Sequence, residues 1–469
     1  MDIIGRDTEI TEFKEIVSKK QSSFIVVYGR RRIGKTYLIR NHFKTFDFYH
    51  TGVANIDNKQ QLQLFHKSLI NTSKNNSIKP PKNWFDAFEN LQKTLEKSRK
   101  KKKIVFLDEA PWLHGSKSNF LSALEHFWNH WASAREDIIL IVCGSATSWI
   151  VNKIFNNKGG LHNRVTNKIY LKPFTLKETE AFLIKRKIFW NKYQIVKAYM
   201  VFGGVPFYLE NLKAGKSIDQ NINELLFADK SLFQNEFNNL YHSLFKNPEN
   251  YIQVIQVLAS KNKGLTRNEI IKHIPLNTGG SLSTILQDLE LSGFIRKYNA
   301  IGKKERDVLY QLVDAYSLFY YNFIHSKKTD SNFWLQNFDS AKIKAWSGYA
   351  FEMVCLLHAE QIKKGLGIEG VYTNIYAWQT HQAEKNAQID LIFDRKDQII
   401  NVFEIKFSTE EYTITSKYML ELLNKIAVFK TETKTKKAVF LSLLSTYGLK
   451  NNENTGMIQN SLTLETLFY

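Results

Sequence analysis

The sequence predicts an α/β protein whose 469 residues suffice for roughly three domains. Up to about residue 150, buried apolar strands alternate with helical patterns, as in a parallel sheet crossed by helices. Helical periodicity then dominates from about 175 to 245, and the pattern over 250–325 predicts three helices and a short hairpin. From about residue 340 the pattern is mixed α/β again.

The first strand leads directly into a glycine-rich loop. "SSFIVVYG" (22–29) has the apolar character of a buried strand, and "VVYGRRRIGKTYLI" (26–39) fits the phosphate-binding pattern G-x-x-x-x-G-K-[ST] between that strand and a helix. Glycines let the backbone approach closely, so that N–H groups and the positive end of the helix face phosphates. Lys35 would reach the β- and γ-phosphates, and Thr36 would hold Mg²⁺. The predicted nucleotide contacts are Gly29, Arg30, Arg31, Arg32, Ile33, Gly34, Lys35, Thr36 and Tyr37.

Two later strands end in polar residues that suit ATP hydrolysis. "KKIVFLDEA" (102–110) supplies Asp108 for the Mg²⁺ shell and Glu109 to polarise the attacking water. "DIILIVCGS" (137–145) ends in Ser145, which either senses the γ-phosphate or caps a helix. The sequence therefore predicts ATP and Mg²⁺ as cofactors.

These motifs resemble the archaeal-type ATPases in the AAA+ and STAND-like division of P-loop NTPases. The resemblance is carried by "IIGRDTEI", the phosphate-binding loop, "FLDE", "GSATSWI", "GGLHNRVTNKIYLKPF" and "FGGVPFYL". It implies an AAA+-like P-loop ATPase core over residues 1–172 and a helical lid over residues 173–247.

The same resemblance implies further contacts with the nucleotide. Gly5 and Arg6 would lie near the base, and Pro206 of "GGVP" would pack beside the adenine. Arg164 would touch the γ-phosphate of its own or of a neighbouring subunit, and the second case requires a homo-oligomer. From the residues alone, Arg164 can equally be a surface charge and "GGVP" a helix-breaking turn.

Residues 248–325 predict a winged helix-turn-helix. "SLSTILQDLELSGF" is the candidate recognition helix, and "IRKYNAIGKKERDVLYQL" is the candidate wing hairpin. A basic wing can contact the phosphate backbone of DNA. The basic residues of this wing are Arg296, Lys297, Lys303, Lys304 and Arg306. Against DNA contact, the helix carries Asp288 and Glu290, and winged helices in this ATPase class also serve as spacers between domains.

A strand near the C-terminus, "NVFEIKF" (401–407), carries Glu404 and Lys406 two residues apart on one face. Burying a carboxylate and an ammonium costs several kcal/mol unless they are paired, hydrogen-bonded or bound to metal. This face of the strand is therefore either exposed to solvent or part of a functional site.

A second acid lies upstream of this strand. Asp390 is predicted to point away from Ile389 and Leu391, and a turn centred near Asp397 would place it opposite Glu404 in an antiparallel hairpin. Two facing carboxylates repel each other. A divalent cation between them would remove the conflict, since Mg²⁺ prefers carboxylate oxygens and water.

The arrangement D-x(13)-E-x-K resembles the PD-(D/E)XK nuclease superfamily. A further match is Glu352 in "WSGYAFEMVCLLHAEQI", an otherwise apolar helix before the strands. The resemblance implies an α/β PD-(D/E)XK-like domain over residues 335–469, with Glu352, Asp390 and Glu404 as metal ligands and Asp390, Glu404 and Lys406 as catalytic residues. One departure is that Ile389, not a proline, precedes Asp390. A buried glutamate satisfied by a backbone donor remains the alternative for Glu352.

Composition bounds the partners and the location. The formal charge of +20 favours a polyanion such as nucleic acid, and DNA is expected, although AT-rich coding alone can inflate lysine content. Cys143 and Cys355 lie in apolar runs and predict core packing in a reducing compartment. "MDIIGRDTEI" has no apolar signal core, and no apolar run approaches the ~20 residues that span a bilayer. A cytoplasmic protein without membrane contact is expected.

The sequence thus predicts an ATP-binding and ATP-hydrolysing protein that regulates or drives a metal-dependent nuclease acting on nucleic acid. The alternative is a STAND-like ATPase switch or DNA-binding regulator whose C-terminal domain binds without cleaving.

Overall fold

The chain divides into two compact units, Met1–Lys172 and Pro173–Tyr469. The structure, a computed structural model, describes residues 3–115, 117–156, 159–161, 163–261, 264–274, 280–299, 308–325, 330–380 and 387–469. Among the described residues, none of the helices is long and apolar enough to cross a membrane. Cys143 and Cys355 are buried free thiols, as core packing predicts.

The first unit is built on a sheet of five parallel strands in the order β2-β3-β4-β1-β5. The strands are β1 (Ser23–Tyr28), β2 (Phe48–Thr51), β3 (Lys103–Asp108), β4 (Ile138–Gly144) and β5 (Asn167–Tyr170). The helices are α1 (Asp7–Ser18), α2 (Lys35–Phe43), α3 (Asn58–Ser73), α4 (Trp84–Glu96), α5 (Phe120–His126) and α6 (Thr147–Ile150). Two apolar clusters cover the sheet, one containing α1 and α2 side chains and the other α3 to α5 side chains. Because both faces are covered, β1 and β4 are continuous apolar runs.

The predicted parallel α/β sheet is confirmed, and its three predicted strands correspond to β1, β3 and β4. The prediction lacked the edge strands β2 and β5. Each has four residues and mixes polar with apolar side chains, so neither produces a clear apolar run.

The second unit has a large apolar cluster that extends from Phe174 to Phe468, and a second cluster that includes Trp378, Val402, Phe429 and Leu443. Its helices are α7 (Leu176–Lys185), α8 (Lys192–Phe202), α9 (Pro206–Leu209), α10 (Ile218–Ile222), α11 (Glu236–His242), α12 (Pro248–Ala259), α13 (Arg267–His273), α14 (Gly280–Leu291), α15 (Ala315–Phe323), α16 (Phe333–Asn337), α17 (Ala341–Leu357), α18 (Ala359–Gly365) and α19 (Ser416–Thr433). Its strands are β6 (Leu265–Thr266), β7 (Ile295–Tyr298), β8 (Leu309–Leu312), β9 (Thr373–Gln379), β10 (Gln388–Arg395), β11 (Ile399–Lys406), β12 (Ala438–Ser445) and β13 (Asn460–Thr463). The predicted segments 173–247, 248–325 and 335–469 therefore share a core, and their status as separate domains stays a prediction.

Helices α12 to α14 accompany a three-stranded antiparallel sheet in the order β6-β8-β7. The winged helix-turn-helix stays a prediction, and the structure alters one detail of its electrostatics. Asp288 on α14 is buried and accepts a hydrogen bond of 2.6 Å from the Tyr251 hydroxyl, so its charge is turned inward. The predicted wing residues Lys303, Lys304 and Arg306 lie outside the described residues.

The last sheet is mixed, in the order β13-β12-β11-β10-β9, with β9 to β11 antiparallel and β11 to β13 parallel. Leu391 pairs with Phe403 across β10 and β11, a register centred on residue 397 as predicted. The predicted alternation is wrong at one place. A bulge between Ile389 and Ile392 breaks the pairing with β9 and puts both side chains in one apolar cluster, so Ile389 does not share a face with Leu391.

His358 joins two helices inside the second unit. Its Nε2 accepts the Leu176 amide at 3.0 Å, at the start of α7, and its Nδ1 lies 2.8 Å from the Val354 carbonyl on α17. Because an amide can only donate, Nε2 carries the lone pair and Nδ1–H donates to the carbonyl. The imidazole is therefore held neutral.

We expect this imidazole to make the second unit acid-sensitive. Burial lowers the pKa of His358 from 6.5 to about 4. The unfolded chain thus binds a proton that the folded unit rejects, and the free energy of unfolding falls by about 3 kcal/mol as pH drops from 6.5 towards 4. Denaturant unfolding at pH 7.5 and pH 5 should show a smaller pH loss in His358→Leu than in the parent. An equal loss in both proteins would contradict this assignment.

Candidate nucleotide site and acidic cluster

The glycine-rich loop follows β1 and turns directly into α2. Gly29 has φ +139°, and a Cβ there would lie 2.3 Å from the Leu171 carbonyl oxygen, so a side chain is excluded. Gly34 has φ +84° and precedes the first residue of α2, where its carbonyl accepts the Leu38 amide at 2.9 Å. The two glycines thus provide the left-handed turns that aim the start of α2 at a ligand.

Lys35 lies inside this loop. Its buried Nζ donates to the carbonyl oxygens of Gly29 at 3.0 Å and Arg30 at 2.8 Å. Burial lowers the pKa of Lys35, while the charges of Glu109 and Asp108 act in the opposite direction. An ammonium encircled by backbone carbonyls is placed to exchange these partners for phosphate oxygens.

Thr36 and Asp108 meet at the carboxyl edge of the sheet. The Thr36 hydroxyl donates to both carboxylate oxygens of Asp108, at 3.1 and 2.9 Å. Burial raises the pKa of Asp108, and the hydrogen bond from Thr36 lowers it in part. A hydroxyl and a carboxylate side by side fit the oxygen ligands that Mg²⁺ takes in nucleotide sites. They would hold the ion, which would supply positive charge to the phosphates.

Glu109 follows Asp108 and is held by the end of β4. Its φ of 45° turns the chain sharply after β3. Its Oε2 accepts hydrogen bonds from the Ser145 amide at 3.3 Å and the Ser145 hydroxyl at 3.1 Å. Ser145 thus orients Glu109, and the helix-cap alternative does not hold, since the residue before α6 is Ala146.

The other predicted residues of the loop differ in exposure. Arg30 and Ile33 are buried, Arg31 and Arg32 are half-buried, and the Tyr37 side chain is 45% exposed. Arg32 has φ 74°, a left-handed conformation within the loop.

The N-terminal segment packs directly on this loop. Arg6 donates to the Ile33 carbonyl at 3.4 Å and lies 3.9 Å from Glu9. Gly5 and Arg6 both have positive φ, which turns the chain into α1. The structure places Arg6 against the phosphate-binding loop, and the predicted position of Gly5 and Arg6 near the base stays a prediction.

Arg164 lies at the amino-terminal end of the parallel strands, whereas the glycine-rich loop lies at their carboxyl-terminal end. It is exposed and precedes β5 by three residues, and β5 pairs in parallel with β1 from Ile25↔Asn167 to Tyr28↔Tyr170. Arg164 is therefore about 20 Å, or six strand residues, below the level at which the glycine-rich loop begins. From this position Arg164 does not reach the γ-phosphate of a nucleotide bound by the same chain. Contact with the nucleotide of a neighbouring subunit stays a prediction.

Pro206 belongs to the second unit, where it opens α9 at the first helical position. The preceding Gly204 accepts the Phe174 amide at 2.6 Å, and a Cβ on Gly204 would overlap the Phe174 backbone. Close packing against Phe174 thus explains the glycine of the "GGVP" turn within this unit. The predicted contact of Pro206 with adenine stays a prediction.

The acidic cluster of the second unit is centred on Glu404 of β11. Its Oε1 accepts the Tyr418 hydroxyl at 2.6 Å and lies 3.0 Å from Lys406 Nζ, and its Oε2 lies 2.8 Å from Lys425 Nζ. Burial alone would raise the pKa of Glu404, but Lys425 and Lys406 bring it below its usual value. Glu404 is therefore a carboxylate satisfied by two ammonium groups and a phenol.

Asp390 and Glu352 lie close to this ion-pair network. Asp390 and Glu404 are the next residues beyond Leu391↔Phe403, the last pair of the β10–β11 register. Asp390 accepts a hydrogen bond from Gln388. Burial raises the pKa of Glu352 on α17 to about 8, and the charges of Asp390 and Glu404 contribute to the shift. The three predicted acids thus share one region of the unit.

As placed, these acids do not fit a metal ion. Within the described ranges, no group of three His, Cys, Asp or Glu side chains is arranged to hold one. Both oxygens of Glu404 are already engaged by Lys425, Lys406 and Tyr418. The metal-ligand role predicted for Glu352, Asp390 and Glu404 stays a prediction.

Three residues of this region were missed or misplaced by sequence reasoning. Tyr418 and Lys425 are seven residues apart on α19, a spacing that puts them on one helix face, but the spacing does not reveal which carboxylate they meet.

Arg296 was expected on the wing for DNA backbone contact. Instead its Nε donates to Gln311 at 2.7 Å, its guanidinium lies 4.2 Å from the Tyr298 ring centre, and burial lowers its pKa to about 10. Lys297 beside it is exposed.

Comparison with known proteins agrees with the geometry of the first unit. Residues 3–212 match a family profile described as an ATPase domain predominantly from Archaea. An uncharacterized protein of Methanocaldococcus jannaschii is 25% identical over 398 residues, covering 83% of each chain. The solved structure of a Walker-type ATPase of Pyrococcus abyssi superposes with a TM-score of 0.51 at 17% identity, covering 68% of this chain and 96% of that one. Residues 3–212 are therefore similar to archaeal ATPase domains, and the fold resembles that of a Walker-type ATPase, which supports ATP binding and ATPase activity.

Proposed function

We propose that this protein binds ATP with Mg²⁺, hydrolyses it slowly, and uses the cycle to regulate a nucleic-acid-processing module in its second unit. The observation that carries the proposal is the convergence of Lys35, Thr36, Asp108, Glu109 and Ser145 at the carboxyl edge of one parallel sheet. Ligands of open α/β sheets bind at this edge.

Each of these residues has a distinct task in the proposed hydrolysis. Lys35 binds the β- and γ-phosphate oxygens, and the amides of the glycine-rich loop bind the others. Glu109 accepts a proton from the attacking water, and the two hydrogen bonds from Ser145 keep its carboxylate in place. Thr36 and Asp108 would hold Mg²⁺, which offsets the phosphate charge.

Nucleic acid is the proposed substrate of the second unit, DNA in the first instance. In the nuclease form of this proposal, Asp390, Glu404 and Glu352 would hold a divalent ion after rearrangement of the cluster, the ion would supply positive charge to the phosphodiester, and Lys406 would lie beside it. Because Glu404 is held by Lys425, Lys406 and Tyr418, cleavage requires Glu404 to release at least one ammonium partner.

The second candidate is a switch or DNA-binding regulator that does not cleave. The observation that favours it is the complete pairing of Glu404, since a carboxylate with two ammonium partners is stable without a metal ion. Supercoiled plasmid DNA incubated with Mg²⁺ or Mn²⁺, with and without ATP, separates the candidates. Cleavage that responds to ATP supports the nuclease, and intact plasmid with measurable binding supports the regulator.

Arg164 provides a test of assembly. We expect Arg164→Ala to bind ATP normally and to lose most hydrolysis, because its edge position leaves only a neighbouring copy's nucleotide within reach. Mixing Arg164→Ala with Glu109→Gln should restore part of the activity, since mixed assemblies contain sites with one intact copy of each residue. Steady-state phosphate release measures both effects. A protein that stays monomeric with ATP bound would exclude this role.

A further inference from the structure

A basic cleft lies in the first unit, away from the nucleotide site. Its volume is about 560 Å³, in the range of ligand-binding pockets. It is lined by the ends of α3 and α4 and by the segment before β2. The lining side chains that carry the argument are Phe46, Asp47, Lys79, Lys93, Lys97 and Lys100.

The segment that lines the cleft carries a large share of the positive charge of the first unit. Residues 1–172 contain 29 Lys and Arg against 15 Asp and Glu, a formal charge of +14, whereas the remaining 297 residues contain 36 against 30. Over 74–103 alone there are ten basic and three acidic residues. The excess of basic residues is therefore concentrated in one part of the chain. A genome-wide enrichment in lysine would spread it along the whole chain and does not explain this concentration.

The lysines of the cleft are exposed, and two have no acidic partner. Lys79 and Lys97 form no ion pair with the described residues, while Lys93 pairs with the exposed Glu89. Lys100 lies 3.3 Å from Asp47, the acid of the cleft wall. The charge of Asp47 is already met by Lys100, Ser98 and the Ile104 amide.

Other lysines nearby have structural tasks and are not available to a ligand. Lys102 donates to the carbonyls of Lys19, Gln21 and Glu136, and Lys103 pairs with Asp137. These contacts fix the start of β3 next to the cleft.

The cleft is at the amino edge of the sheet. Phe46 and Asp47 directly precede β2, and Lys100 precedes β3 by three residues, whereas Lys35 is at the carboxyl edge. A ligand in the cleft therefore does not compete with ATP for the phosphate-binding loop.

We propose that this cleft binds a segment of single-stranded nucleic acid. Lys79, Lys93 and Lys97 contact its phosphates, and the half-buried Phe46, whose ring also packs against Tyr49 and Phe106, contacts a base. A concave, pocket-sized site fits a flexible strand with an unstacked base, and the broad cylinder of a duplex does not enter it. The inference rests on the proposed action on nucleic acid and adds a place of binding.

The test uses the full-length protein and three labelled probes, a dT 20-mer, a U 20-mer and a 20-base-pair duplex. We expect a single strand to bind more tightly than the duplex. The triple variant Lys79→Gln, Lys93→Gln and Lys97→Gln should weaken single-strand binding at least about 30-fold at 0.1 M salt. It should also reduce the slope of log K against log salt by about 2, because each phosphate contact on a single strand contributes about 0.7.

A matched control carries Lys14→Gln, Lys59→Gln and Lys117→Gln, three exposed lysines of the same unit outside the cleft. It loses the same charge and should change binding less than about 3-fold. Phe46→Leu keeps the charge and should weaken binding several-fold if a base lies on the ring. Unchanged ATP hydrolysis in all variants would show that the nucleotide site is intact.

Three results would overturn the inference. Equal weakening in the cleft and control variants would mean that general charge, and not the cleft, binds the strand. Duplex binding that weakens in the cleft triple variant as much as single-strand binding does, or unchanged single-strand binding in Phe46→Leu, would exclude the proposed single-stranded occupant. If the parent protein binds none of the probes, the proposed action on nucleic acid fails as well, whereas cleft variants that bind normally refute the cleft alone.

Discussion

Glu109→Gln should leave ATP binding unchanged and slow hydrolysis by about 10²- to 10⁴-fold, the contribution of a positioned general base. The amide keeps the shape and the hydrogen bonds that Ser145 donates to Oε2, but it does not accept the proton from water. Fluorescent-nucleotide titration measures binding, and phosphate release measures turnover.

Two further variants sharpen this result. Glu89→Gln removes an exposed acid of the same unit and should have no effect on either measurement. Ser145→Ala should reduce turnover by less than Glu109→Gln, because it removes one of the two hydrogen bonds that place the carboxylate. An unchanged rate of ATP hydrolysis in Glu109→Gln would show that Glu109 is not the general base.

Asp390→Asn should abolish any metal-dependent cleavage and any stabilisation of the protein by divalent ions. Binding of Mg²⁺ or Mn²⁺ to the folded state should raise its stability by RT ln(1 + [L]/Kd), about 2.7 kcal/mol at a hundredfold excess over Kd. The thermal midpoint of the parent should therefore rise with the ion, and that of Asp390→Asn should not. Lys406→Ala should keep the thermal response and lose cleavage.

The large apolar cluster of the second unit determines how this experiment is done. A fragment beginning near residue 335 would leave behind the partners of α17 and α18, such as the hydrogen bond between Leu176 and His358. The full chain with Lys35→Ala avoids this problem and removes the Mg²⁺-nucleotide response of the first unit. Asp397→Asn, in the turn of the same hairpin, is the matched control. A parent protein that neither responds to divalent ions nor cleaves would favour the non-cleaving regulator.

The sequence was most informative where a local motif coincides with a strand end. Lys35, Thr36, Asp108 and Glu109 could be placed together because parallel strands deliver their carboxyl ends to one edge. The strand order was not accessible, and β2 and β5 were too short to predict, so the position of Arg164 at the far edge emerged only from the pairing of β5 with β1.

The acidic cluster shows the opposite case. The hairpin register was predictable from the turn near Asp397, and its last pair, Leu391↔Phe403, directly adjoins Asp390 and Glu404. The residues that pair with the Glu404 carboxylate could not be predicted from the sequence. Tyr418 and Lys425 follow Glu404 by 14 and 21 residues on a helix, and only tertiary packing brings that helix against the strand. A two-residue strand motif thus predicts a charged face and does not predict whether ammonium groups or a metal ion neutralise it.

The central claim, that the first unit hydrolyses ATP at the edge formed by Lys35, Asp108 and Glu109, is tested most directly by phosphate release under saturating ATP and Mg²⁺. The parent and Lys35→Ala are compared in the same preparation, with folding of both verified by their thermal midpoints. We expect slow release by the parent that EDTA abolishes, and no release above background by Lys35→Ala, which should also fail to bind nucleotide. Equal release by the two proteins would contradict it.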